Sequence, residues 1–352
     1  MRNHFKFYAR VLLAACLAAA ALLVLGCSES ERGKGEETPK PVEKVEATKP
    51  ETLEKIKIGG PKNIAMLVII ADRKGFFSKA GANVDFEPVQ TGKIAMDALI
   101  SGDLDLGVLV DSNIAFIGYQ KSADVQVIAS ISEKYDDAII ARKDKGITKP
   151  KDLVGKKVAY LPATTSHIYL ARYLAEQQID MNKLELRTMT PPAMQAAMLN
   201  GTVDAASVWQ PFRYNVKKAL GDKVVEFNSK DAYVAYALIA ARAGTIEKHR
   251  DNIKKVINAV MLSEDWIKNN KDEGIAILAE ELKMDKGVLA SVWDEYKLTV
   301  RLDQGLLKLI EDEGKWISET QESFKGKPVP SYKAAVNPEI LRDLSADRVT
   351  VP

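Results

Sequence analysis

Thiols, imidazoles and excess charge are all scarce in this 352-residue chain. It holds 2 Cys and 3 His, and 50 Lys and Arg stand against 48 Asp and Glu for a formal charge of +2. So small a net charge gives no field for coating a polyanion, and nucleic acid is not an expected partner. Both cysteines, Cys16 and Cys27, lie at the very start. A fold built from the rest has no thiol, which excludes disulfides, Cys-ligated zinc and Cys nucleophiles. Past His4 only His167 and His249 remain, so the two-His motif H-E-x-x-H is absent and neither metal nor cofactor is expected. No G-x-x-x-x-G-K-[ST] segment occurs, so any ATP hydrolysis coupled to the function belongs to a partner.

What is present begins with an address. Arg2, Lys6 and Arg10 precede an unbroken apolar run of 15 residues, Val11 to Leu25, and then Gly26 and Cys27. This is the layout of a secretory signal over residues 1–26, shorter than the roughly 20 apolar residues of a spanning helix. Removing it takes away three bases and no acid, and the formal charge moves from +2 to −1. Val24-Leu25-Gly26-Cys27 resembles a bacterial lipobox, although Leu25 stands where a small residue is usual. The resemblance implies a lipidated Cys27 as the new N-terminus, with the protein exported and membrane-anchored, facing the periplasm or the outside of the cell membrane. Residues 28–52 carry 12 charged residues and no aromatic, too little apolar area to offset chain entropy. With Cys27 they form a linker over 27–53 that reaches roughly 25–30 Å.

From Ile56 to Ala241 short apolar runs alternate with amphipathic helical stretches, the pattern of an α/β protein. The strand candidates are Lys55–Ile58, Val84–Val89, Leu104–Val110, Val125–Ile131, Ala138–Ala141, Lys157–Leu161, Leu184–Met189, Val203–Val208, Val224–Phe227 and Ala237–Ala241. From Thr245 to about Phe324 the period is helical throughout, with turn signals at Lys271–Gly274 and Asp285–Gly287. Asp137–Arg142 (DAIIAR) and Ala237–Arg242 (ALIAAR) are alike. They are the natural candidates for two adjacent strands by which the chain leaves one lobe and later returns.

Several stretches in order carry a family resemblance: Gly75-Phe76-Phe77, Leu99 to Gly107, Gly146-Ile147 with Asp152-Leu153 and Gly155 to Val158, Thr164 to His167, and Gly201 to Ala205 followed by Trp209-Gln210-Pro211. Together, over Ile56 to about Leu309, they resemble the periplasmic substrate-binding proteins of the nitrate, sulfonate, taurine and thiamine-precursor type that serve ABC importers. The resemblance implies a type II periplasmic binding protein fold, with two α/β lobes, two hinge strands and a ligand cleft between them. Lobe 1 is then 54–140 plus 242–352, and lobe 2 is 141–241 with the return hinge. It further implies a monomeric, non-enzymatic solute-binding lipoprotein. Such a protein closes on a small anionic or zwitterionic molecule and delivers it to a membrane permease and its ATPase subunit. Two other readings share the fold: an enzyme of the pyrimidine-synthase or dehydratase type, and a ligand sensor for a membrane receptor.

Candidate ligand residues sit where strands end. Lys157–Leu161 runs into Thr164, Thr165, Ser166 and His167 at a helix start, where free N–H groups and the helix dipole offer an anion site. Thr91 and Gly92, after Val84–Val89, are the counterpart in the first lobe. Asp111, Ser112 and Asn113 follow Leu104–Val110 directly, three polar groups where that strand meets the cleft, and Asp111 suits a ligand amine or a cap equally. Trp209 offers a flat face and Gln210 a hydrogen bond, while Tyr233 precedes the return. Lys93, Asp136-Asp137 and the run Glu311-Asp312-Glu313 read as solvated or non-catalytic charge, and Pro191-Pro192 as the opening of a helix.

Overall fold

A computed structural model describes residues 54–120 and 124–352. The signal, the lipobox at Cys27 and the linker lie outside the described residues. The chain first lays down β1 (Ile56–Gly60), α1 (Met66–Arg73), α2 (Phe76–Lys79), β2 (Val84–Pro88), α3 (Gly92–Ser101), β3 (Leu106–Val110), α4 (Asp111–Ile117) and β4 (Val125–Lys134). It then builds β5 (Ala138–Arg142), β6 (Lys157–Tyr160), α5 (Thr165–Glu176), β7 (Glu185–Thr188), α6 (Pro191–Asn200), β8 (Ala205–Val208), α7 (Phe212–Leu220) and β9 (Val224–Phe227). The last third comprises β10 (Ala235–Arg242), α8 (Ala243–Asn269), α9 (Lys271–Leu282), α10 (Lys286–Ser291), β11 (Tyr296–Arg301), α11 (Gln304–Thr320) and α12 (Glu339–Leu344). Among the described residues no helix is long and apolar enough to cross a membrane.

Two mixed sheets result, ordered β11-β4-β10-β3-β1-β2 and β7-β6-β8-β5-β9. Strands buried on both faces read as continuous apolar runs, as β3 and β10 do, while the edge strands β2 and β7 keep charged, exposed positions. The second sheet shows strand alternation directly. Ile139, Val158 and Ala205 pack against α5, and their neighbours Ile140, Ala159 and Ala206 pack against Met194 and Met198 of α6.

The sheets repeat one another. Reading β9-β5-β8-β6-β7 beside β4-β10-β3-β1-β2 pairs β5 with β10, because each is antiparallel to the strand that follows a helix with a left-handed Gly at its C-cap. Gly102 ends α3 and Gly201 ends α6. Arg242 donates to Leu99 O at the first of these helix ends, and Arg142 donates to Met198 O (2.5 Å) at the second. Asp105 accepts from Lys57 N and Asp204 from Lys157 N, both at 2.9 Å. The likeness of the segments ending in Arg142 and Arg242 is thus the likeness of two equivalent strands. They lie in different sheets and do not pair, which corrects the expectation of two adjacent crossing strands. The chain crosses over at 135–137 and returns over 228–234.

All ten strand candidates form strands, with ends shifted by up to three residues. The eleventh, β11, was read as helix. Its edge position, half exposed and paired only to β4, leaves no continuous apolar run to mark it. Lys271–Gly274 is no turn but the start of α9, where Gly274 lies so close to Ile267 that a Cβ would meet that side chain at 2.6 Å. The turn expected at Asp285–Gly287 is likewise a helix start, since the break after α9 lies at 283–285 and Asp285 caps α10 through Gly287 N and Val288 N, whereas Pro191 opens α6 as the sequence indicates.

Candidate ligand cleft

The parallel strands β1, β2, β3 of one sheet and β6, β7, β8 of the other end where helices begin. Carboxyl ends of strands leave loops and helix N-termini unpaired, and there a cleft forms. One small cavity, about 30 Å³, is lined from both sheets. Pro61, Asn63 and Ile64 follow β1, Thr91 and Gly92 follow β2, Val110 and Asn113 follow β3, and Lys134 ends β4. From the other side come Thr164 and Thr165 at the start of α5 and Trp209 after β8. At roughly 10–15 Å³ per water, the space holds about two waters, the size of a compact head group.

Every lining side chain is neutral except Lys134, and none is a carboxylate. The first turns of α3 and α5 contain no acid of their own, and one carboxylate, Asp137, is bonded at the start of α5, where it accepts from Thr165 Oγ1. Thr91 caps α3 by accepting from Ile94 N at 3.3 Å. Thr164 makes no such cap, since its hydroxyl donates to Leu161 O at 2.7 Å. His167 N bonds Thr164 O at 3.0 Å, so of the first-turn N–H groups of α5 those of Thr165 and Ser166 are left for another acceptor. Asn113 accepts from Val110 N through Oδ1 (3.1 Å), which leaves its amide N–H groups as donors. Gly92 is required here, because a Cβ would sit 2.3 Å from Asn113 Oδ1.

Lys134 is fully buried and donates to Asp136 Oδ1 and to Asp137 Oδ2 (3.0 Å). Burial alone would lower its pKa, but the two carboxylates outweigh burial and hold it above the usual lysine value. Two of its three N–H groups are spent, and one remains for the cavity. Asp137 Oδ1 also accepts from Thr165 Oγ1 at 2.9 Å, and Asp136 Oδ2 from Tyr296 Oη at 3.0 Å. Asp136-Asp137, read as solvated or non-catalytic charge, is a buried turn clamped on one lysine. One lysine faces two carboxylates, so this cluster brings no excess positive charge to the cavity and attraction for an anion rests on the helix termini.

Of the sequence candidates, Thr91, Gly92, Asn113, Thr164, Thr165 and Trp209 come together in this cavity. Four others are spent inside the fold. Ser166 Oγ accepts from Leu161 N (3.2 Å) and donates to Ser207 O (2.7 Å), joining α5 to β8. Gln210 Oε1 accepts from Tyr214 N (3.1 Å) in α7. Asp111 accepts from Tyr236 N (2.8 Å) and from the Tyr233 hydroxyl, so neither side chain faces a ligand. Burial pushes the Asp111 carboxyl up despite those bonds. Ser112 Oγ is buried without a partner and lines neither cavity described here. Glu313, read as part of a solvated run, is fully buried beside Asp111 and Tyr233, and burial, with the charge and hydrogen bond of Asp111, raises its pKa well above the carboxylate range. Lys93 is exposed and paired with Asp97 (2.6 Å), as a solvated residue should be.

His167 lines a second, larger space, a groove of about 1060 Å³ between α3, α4, α5 and α11 that shares Asn113 with the small cavity. Its ring lies 4.9 Å from Tyr160 and 5.0 Å from Trp316. Burial depresses its pKa to about 4, so the imidazole is neutral at pH 7. Sequence reasoning missed Pro61, Asn63, Ile64 and Lys134. Lys134 had a signal, a lysine at the end of an apolar strand, but the strand was ended at Ile131.

The fold and stretches of the sequence have known counterparts. The taurine-binding periplasmic protein of Escherichia coli is 32% identical over 39% of this chain and 42% of its own. The alkanesulfonate-binding protein of Xanthomonas axonopodis pv. citri, solved with MOPS bound, superposes with a TM-score of 0.71 at 17% identity, covering 81% of this chain and 98% of that one. A desulfurization enzyme shares the fold at a TM-score of 0.61 and 14% identity, covering 82% of this chain and 98% of that one. Residues 63–274, more than half of the sequence, match the family model described as NMT1/THI5-like, and the chain belongs to that family.

Proposed function

We propose that this protein is the solute-binding component of an ABC importer, and that it captures a small oxyanion-bearing molecule of the sulfonate or taurine kind between its two α/β lobes. The observation that carries the reading is the meeting of two acid-free helix N-termini, one from each sheet, in a cavity with no carboxylate. Each terminus supplies oriented N–H donors and a favourable field for negative charge. Donors split between two bodies also explain closure: an anion that bonds both helix starts binds the closed state better than the open one and shifts the population toward it. The names of the relatives, which specify taurine and alkanesulfonate, support the same head group. A lipidated Cys27 and a 27–53 tether would hold the body at the membrane, within reach of a permease.

No carboxylate in the cavity meets a ligand ammonium, so the anionic end is what the site selects. Titration calorimetry of the purified protein with methanesulfonate, taurine and nitrate tests this, with scattering to follow compaction and mass spectrometry of the recovered solute. Binding with compaction and unchanged solute is expected. Binding of none, or chemical conversion of any, contradicts the proposal, and conversion moves the protein to the enzymes of this fold.

A further inference from the structure

The small cavity accounts for a head group only, yet the groove of about 1060 Å³ begins at its edge. Asn113 lines both spaces, and the consecutive pairs Gly92-Lys93 and Ala163-Thr164 divide between them. A group anchored at the helix starts therefore has one large space to extend into. Its walls are apolar and aromatic where they are deep, with Met96, Phe116, Tyr160 and Trp316, and charged at the rim, where Lys93 and Asp97 pair in solvent. Along α5, His167, Ala171 and Ala175 follow at four-residue steps on one face, and the two alanines leave the width open.

An unsatisfied atom points to what the groove receives. His167 is 6% exposed; its Nδ1 is sealed inside the fold without a hydrogen-bond partner, and Nε2, the ring nitrogen left to the groove, has none among the described residues either. A buried polar atom left unpaired costs roughly 1–3 kcal/mol, so a bond formed at Nε2 on binding is a gain. We propose that the solute held in the cavity carries a flat apolar tail with a neutral polar substituent, and that this tail lies in the groove against Tyr160, His167 and Trp316. This rests on the oxyanion reading of the cavity and narrows its substrate class from simple to aromatic or heterocyclic oxyanions. A neutral imidazole supplies one donor and one acceptor and no charge, which suits a hydroxyl or carbonyl on the tail.

The test is a set of dissociation constants for methanesulfonate, benzenesulfonate, 2-naphthalenesulfonate and 6-hydroxy-2-naphthalenesulfonate, on the wild-type protein and on Ala171→Trp and His167→Phe. Burial of the bicyclic ring should make the naphthalene compounds roughly 30- to 100-fold tighter than methanesulfonate. Ala171→Trp, which fills the groove, should abolish that gain and leave methanesulfonate within about twofold. His167→Phe should cancel the advantage of the hydroxyl while keeping that of the ring. A flat series, or a loss in Ala171→Trp equal for all four, overturns the tail and leaves the head-group reading standing. Failure of all four to bind overturns both.

Discussion

Gly92 is where a single atom decides the most. Its added Cβ would lie 2.3 Å from Asn113 Oδ1, and that oxygen is already committed to Val110 N. Gly92→Ala must therefore displace a cavity donor, and a loss of at least about tenfold in anion affinity is expected, the worth of roughly one hydrogen bond. Circular dichroism should show an intact fold beside that loss. His167 and Glu313 make opposite statements about pH. His167 has its folded pKa depressed by burial to about 4, so its contribution is present above the ordinary value near 6.5 and is lost as pH falls through 4. Across that window it amounts to about 3 kcal/mol. Glu313 has its folded pKa raised by burial and by Asp111, so stability is full below the ordinary glutamate range and declines as pH rises. Melting curves from pH 4 to 8 should show Glu313→Gln gaining on the wild type as pH rises, and His167→Phe losing less than the wild type as pH falls. These residues also mark what sequence could not tell. Glu313 looks like its exposed neighbours Glu311 and Asp312, and only the turn of α11 that faces Asp111 distinguishes it.

Among elements, the crossover at 135–137 is the most exacting. Lys134 closes β4, both following aspartates bond to it, and Thr165 of α5 bonds to Asp137, so one turn ties the first sheet to a helix start of the second. Lys134→Met leaves two buried carboxylates without their cation, and a destabilisation of about 3–5 kcal/mol is expected by chemical denaturation. A mutant that melts like the wild type would contradict this account of the crossover. The elements were legible where burial is two-sided. Buried strands announce themselves as apolar runs, and Thr91, Pro191 and Asp285 announce helix starts. The edge strand β11 does not, because half of its surface is exposed and helical segments flank it. Cleft residues were legible only where they sit at a strand end that the apolar pattern defines. Thr91, Thr164 and Trp209 meet that condition. Asp111 and Gln210 meet it too, yet their side chains turn inward to bonds with Tyr236 and Tyr214 that lie beyond any local pattern.

At the scale of the molecule, two copies of one sheet plan face each other across the cleft. Arg142 and Arg242 each seal the end of a helix in their own sheet, α6 and α3, which are equivalent, while the helices that start at the cleft, α3 after β2 and α5 after β6, take different places in the shared plan. The ligand thus meets two helix N-termini from non-equivalent positions of the repeat, one from each sheet. Selectivity for charge then comes from the backbone, since Lys134, the cavity's one lining cation, is paired with two acids. The most direct measurement is a calorimetric comparison of methanesulfonate with its neutral analogue methanesulfonamide on the same preparation. The account predicts saturable one-to-one binding of the sulfonate and at least about a hundredfold weaker binding of the sulfonamide, the worth of two helix-terminus interactions and their charged hydrogen bonds. Equal affinity for the two, or preference for the neutral compound, would contradict the claim that the paired helix starts form an anion site.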